Sequence, residues 1–195
     1  MAKIAVLVSG GGSNLQSIID NIKSGKLECD LEFVISDREC FAVERAEKSG
    51  IKTMILDKAV YKKNLSDKIH EVLKDKVDFI VLAGFLSILN PDFVKKWEKR
   101  IINIHPSLLP KYGGAGMYGI KIHEAVIKNG EKESGCTVHY VDSGIDTGEI
   151  IIQDKVDVKA GDDAEMLQER VLEREHVVLV NAIQMLISGH KKTSL

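Results

Sequence analysis

A strand-length apolar run, Lys3-Ile4-Ala5-Val6-Leu7-Val8, stops at Ser9-Gly10-Gly11-Gly12-Ser13-Asn14 and gives way to apolar positions Leu15, Ile18, Ile19 and Ile22. Their spacing is i, i+3, i+4, i+7, one face of a helix. Gly25 then offers a residue that takes left-handed backbone cheaply just past the helix end. A buried strand, a glycine turn and a helix in that order place unpaired amide groups and a partial positive charge at the helix start, where glycines let an anion approach the backbone and Ser13 adds a hydroxyl. An ordinary tight turn would look similar, but three consecutive glycines favour phosphate. No Gly-Lys-Ser/Thr follows, which excludes the nucleoside-triphosphate loop. The dinucleotide fingerprint is incomplete, since Leu15 stands where a third glycine or alanine belongs; Asp37, after a second strand over Leu31 to Ser36, would be its ribose-binding acid.

Strand and helix patterns alternate through the rest of the chain. A helix is expected over Ala42 to Lys48, a strand over Lys52 to Leu56, and a helix over Tyr61 to Lys74 with Leu65, Ile69, Val72 and Leu73 on one face. Val77 to Ala83 is a nearly continuous apolar run, as in a parallel strand covered on both faces. The loop Gly84-Phe85-Leu86-Ser87-Ile88-Leu89 follows it, at the strand end where open α/β sheets build pockets. A short helix from Pro91 to Lys99, a strand over Arg100 to Ile104, a helix over Ile120 to Lys128 and strands over Gly135 to Val141 and Glu149 to Val158 complete the pattern. A long helix opens after Asp162-Asp163-Ala164-Glu165, runs to Ile187 and stops at Gly189. The result is one α/β domain over residues 1–195.

Composition narrows the function classes. Twenty-seven Lys and Arg against 29 Asp and Glu leave a net charge of −2, so no basic surface points to nucleic acid. Three cysteines without a CxxC pair indicate neither a disulfide framework nor zinc, and fit a reducing cytoplasm. No signal peptide or membrane span is evident. Glu173-x-x-His176 has the spacing of half a di-metal carboxylate site but no second copy, and no metal is expected.

The segment Asn103-Ile104-His105-Pro106-Ser107-Leu108-Leu109-Pro110 bears most directly on chemistry. Side chains two apart on a strand share a face, so Asn103 and His105 reach one small group, and the prolines stiffen the backbone beyond them. Alone, the pair reads as two satisfied polar residues at a strand end. Downstream, four glycines in Lys111 to Gly119 make a mobile loop or a pocket wall, and Asp142 to Gly148 holds Asp146 in a loop that can face His105.

With Ser9 to Leu15, Ala83-Gly84-Phe85, Asn103 to Pro110, Gly135 to Asp142 and Asp146-Thr147-Gly148 all in place, nearly the whole chain resembles the phosphoribosylglycinamide formyltransferases of purine biosynthesis. The resemblance implies a Rossmann-like three-layer fold with a mostly parallel central sheet. It also implies formyl transfer from 10-formyltetrahydrofolate, as cosubstrate, to the amine of glycinamide ribonucleotide. Gly12, Ser13 and Asn14 would hold the phosphate, Glu175 the amine end, and Asn103, His105 and Asp146 the reacting centre. Leu86, Ser87, Ile88 and Leu89 would line the folate pocket, with Asn103 and Ser143, Gly144, Ile145 and Asp146. Asp146 is expected to keep His105 charged near neutral pH. The chain departs from the family at Ser87 and Tyr61, where arginines contact folate; Lys62 and Lys63 can compensate. A formyltetrahydrofolate hydrolase, an initiator-tRNA formyltransferase and a nicotinamide- or nucleotide-binding module are the competing readings, and a monomer or homodimer the expected state.

Overall fold

The computed structural model describes residues 1–193. Seven strands form one sheet in the order β3-β2-β1-β4-β5-β6-β7: β1 (Ala2–Val8), β2 (Cys29–Ser36), β3 (Thr53–Ile55), β4 (Phe79–Leu82), β5 (Ile101–His105), β6 (Glu133–Tyr140) and β7 (Ile150–Asp157). The first five run parallel; β6 is antiparallel to β5 and β7 to β6. The helices are α1 (Ser13–Lys23), α2 (Phe41–Lys48), α3 (Lys58–Tyr61), α4 (Leu65–Leu73), α5 (Pro91–Lys96), α6 (Ile120–Lys128) and α7 (Ala164–Thr193).

Side-chain alternation divides the interior into two cores. Ile4, Val6 and Val8 of β1 pack with Leu15 and Ile18 of α1, Ala42 of α2 and Val171, Val178 and Ile183 of α7. Ala5 and Leu7, one residue out of step, pack with Ile69 and Leu73 of α4 and Phe93 and Trp97 around α5. β4 divides in the same way, Val81 to one side and Ile80 to the other. Continuous apolar runs are what a strand covered on both faces requires.

Several boundaries differ from the sequence pattern, α5 for instance ending at Lys96 rather than Lys99, and two have a clear cause. The helix expected over Tyr61 to Lys74 is two helices, because Lys62 has φ 48° and its left-handed backbone ends α3; Asp57 caps that helix by accepting the Ala59 N–H at 2.7 Å. At the other end, α7 continues through Gly189 to Thr193 instead of stopping. A single interior glycine costs a helix only about 1 kcal/mol. No described helix is long and apolar enough to cross a membrane.

Candidate active site

A cleft of about 880 Å³ opens over β4 and β5, walled by the turn after β1, the loop after β4, the 114–119 segment, the β6–β7 connection and α7. Ile101 of β5 packs into the second core; Asn103 and His105 follow on the same strand face and line the cleft. The β5–β6 register sets His139 opposite Asn103. His139 Nδ1 lies 2.8 Å from the Tyr140 carbonyl oxygen, which can only accept, so Nδ1 carries the proton and Nε2 accepts from the Asn103 amide at 3.2 Å. By the same argument His105 Nε2 donates to the Tyr112 carbonyl at 2.9 Å, leaving Nδ1 without a proton in the neutral ring.

Asp146 joins both imidazoles: Oδ2 is 3.6 Å from His105 Nδ1, Oδ1 is 3.6 Å from His139 Nε2, and the Gly114 N–H donates to Oδ2 at 3.0 Å. Its backbone is left-handed, φ 57°, inside a loop tied by Asp142, which accepts from Gly144 N–H and the Thr147 hydroxyl. Gly113 permits the approach of the preceding loop, since a Cβ there would lie 2.6 Å from Leu109 and 3.3 Å from the Asp146 Cβ. Burial works to raise the Asp146 pKa, but contacts with His139, His105 and the Gly114 N–H outweigh it and hold the carboxyl below its ordinary value.

The charge expected on His105 is corrected by the same geometry. His105 is 5% exposed, and loss of hydration, the largest influence, pushes its pKa below the ordinary histidine value despite the Asp146 charge and the Tyr112 carbonyl. The ligand-free ring is neutral near pH 7.

Gly11, Ser13, Asn14 and Glu175 also line the cleft, while Gly12, outside the lining, is the left-handed residue before α1. Glu175 is 7% exposed and accepts from Asn14 Nδ2 at 2.6 Å; burial pushes its pKa up against that bond. Asn14 Oδ1 is buried without a partner, an acceptor awaiting a donor. Leu86, Ser87, Ile88, Leu89, Gly144 and Ile145 line the cleft as well, and Ser143 does not. Asp37, the ribose candidate, is fully buried and paired with Arg38, so it faces no ligand. Among the described residues no cluster of three or more His, Cys, Asp or Glu is arranged to hold a metal ion.

Sequence reasoning did not single out His139, His123 or the Tyr112 carbonyl. His139 had a signal, its alternation with Thr137 on a strand beside Asn103, but only the register identifies its partner. His123 of α6 also lines the cleft; it is 1% exposed and its Nδ1 has no partner. Burial, then the nearby His105, pushes its pKa from 6.5 down to about 4. The unfolded chain therefore binds this proton below about pH 6.5 and the folded chain does not, so stability is complete above that pH and falls toward pH 4. At about 1.4 kcal/mol per unit, the loss from this group approaches about 3 kcal/mol. Urea unfolding of the parent and of His123→Gln at pH 7 and pH 4 checks it: the parent loses more stability across that interval than the variant.

Comparison with known proteins agrees with this architecture. A family model described as formyl transferase matches residues 2–183. The chain is 43% identical over 188 residues to the chloroplastic phosphoribosylglycinamide formyltransferase of Vigna unguiculata, covering 94% of this chain and 60% of that one. It is 42% identical over 192 residues to the trifunctional purine biosynthetic protein adenosine-3 of Bos taurus, covering 96% of this chain and 18% of that protein. The chain thus spans about three-fifths of the first relative and under a fifth of the second. Among solved structures, glycinamide ribonucleotide transformylase 1 from Symbiobacterium toebii superposes with a TM-score of 0.91 at 36% identity, over 97% of this chain and 89% of that one. A formyltetrahydrofolate deformylase from Pseudomonas syringae pv. tomato gives 0.86 at 27% identity, over 96% and 62%.

Proposed function

Because the chain belongs to the formyl transferase family, we propose that it is a single formyltransferase domain that moves the formyl group of 10-formyltetrahydrofolate to the amine of glycinamide ribonucleotide in purine biosynthesis. One observation carries this reading: a single cleft joins a helix start suited to phosphate, a buried carboxylate at Glu175, the Asn103–His105–Asp146 cluster and an apolar wall at 85–89. Phosphate, amine, formyl group and flat heterocycle each find a matching surface in that cleft.

The amine nitrogen attacks the formyl carbon, and the carbonyl electron pair moves to oxygen. Asn103, with one N–H held by His139, has a second N–H for that oxyanion. The proton released by nitrogen goes to His105 Nδ1, the unprotonated atom 3.6 Å from Asp146, and the imidazolium so formed is stabilised by that carboxylate. When the oxyanion collapses, the carbon–N10 bond breaks and N10 of the folate leaves with the proton from His105. Glu175 and Asn14 receive the amine end, and Ser13 and the backbone of Gly11 and Gly12 the phosphate. A cytoplasmic monomer or homodimer needing neither metal nor nucleic acid completes the reading.

The assay supplies glycinamide ribonucleotide and 10-formyltetrahydrofolate and follows formyl transfer and formate release together. Transfer that depends on the ribonucleotide supports the proposal. Formate release at the same rate without the ribonucleotide would establish the deformylase reading instead.

A further inference from the structure

We propose that Asp37 is a positioning residue for the apolar wall of the cleft, holding Leu86 and Ser87 in place without touching a ligand. This rests on the folate reading for the ligand, but not for the wall. Asp37 directly follows β2, is fully buried and lies outside the cleft lining. The Ser87 hydroxyl donates to its Oδ2 at 2.5 Å, so the hydroxyl expected to contact folate is committed to the protein. The Leu86 N–H donates to Ser9 Oγ at 2.8 Å, and the Ser9 hydroxyl in turn hydrogen-bonds the carboxylate. Arg38 balances the charge, Nε donating to Oδ1 at 2.9 Å and Nη2 to Oδ2 at 3.0 Å.

Packing fixes this wall only at its flanks, where Phe85 and Leu89 pack against the second core. Leu86 is 48% and Ile88 76% exposed, so burial contributes little to holding either. Two successive residues, 86 and 87, are instead tied through hydroxyls to one buried carboxylate, and the Ser9 N–H donates to the Gly84 carbonyl at 3.1 Å at the start of the same loop. A buried carboxylate with several donors is a stiff anchor, because each donor that swings away leaves it under-solvated. The anchor also couples the ends of β1 and β2 to the loop after β4, so the phosphate turn and the apolar wall share one support.

Ser87→Ala removes one tether with little risk to folding, and Asp37→Asn replaces an acceptor by a donor at the shared point. Both are compared with the parent by amide hydrogen exchange and by steady-state kinetics. Exchange over residues 84–89 should accelerate at least about tenfold, and the KM for 10-formyltetrahydrofolate should rise about tenfold while that for glycinamide ribonucleotide holds. Parent-like exchange over 84–89 in both variants overturns the proposal. Faster exchange there in a protein that does not use folate upholds the anchor and removes the folate reading.

Discussion

His105→Ala forms product at least about 10²- to 10³-fold more slowly than the parent, with both KM values little changed. In the proposed mechanism the His105 imidazole, whose unprotonated Nδ1 lies 3.6 Å from Asp146, is the proton acceptor, so its removal takes away that acceptor and the cation that forms next to the oxyanion. Asp146→Asn lowers turnover for a related reason: the imidazolium forms with no carboxylate 3.6 Å away to stabilise it. Circular dichroism and unfolding midpoints confirm that each variant is folded, and parental turnover in both would discard the assignment. The pH profile carries a sign as well. Burial holds the His105 pKa below the ordinary value, and the ring must be neutral to accept a proton. In the parent, kcat/KM is therefore retained through neutrality and falls on the acid side, with its midpoint below the ordinary histidine range. A charged His105 in the free protein would shift that limb upward.

Gly12→Ala is the second large effect, and it acts on binding. Gly12 has φ +73°, which costs a residue bearing a Cβ about 1–2 kcal/mol. An added Cβ would also lie 2.6 Å from the Ala42 Cβ and 2.8 Å from its Cα, so the first turn of α2 has to move. The Ala42 N–H donates to the Gly10 carbonyl at 3.0 Å, and Arg45 Nε donates to the Gly11 carbonyl at 2.8 Å, so displacing α2 drags the phosphate turn with it. The KM for glycinamide ribonucleotide should rise more than about tenfold and the unfolding temperature should fall by several degrees, on the order of 4–8 °C per kcal/mol for a smaller domain and less for this length. An unchanged KM would separate Gly12 from phosphate binding.

The strands and most helices were legible because a sheet covered on both faces writes itself as apolar runs separated by glycine turns. The β1 run and the Leu15, Ile18, Ile19 ladder fall where the pattern puts them. The pairing of Asn103 with His105 was legible too, being a property of one strand. What could not be read was anything depending on a neighbour's register or on depth. His139 became part of the cluster only through its position across from Asn103. The charge of His105 reversed because hydration lost on folding outweighs a carboxylate 3.6 Å away, and nothing in the sequence reports that burial. Asp37 was open to a ribose-binding reading on the strength of its place after a strand; its actual partners, Ser87, Ser9 and Arg38, include residues 50 and 28 positions away.

The bond from Asn14 Nδ2 to Glu175 joins α1 to α7 across 161 residues. The turn proposed to receive phosphate is made before β2, yet its neighbouring carboxylate comes only after all seven strands. Synthesis makes β1 and α1 well before α7, and this part of the cleft is complete only once α7 has docked along them. A ligand bound in this part of the cleft would stabilise only molecules in which α7 is in place.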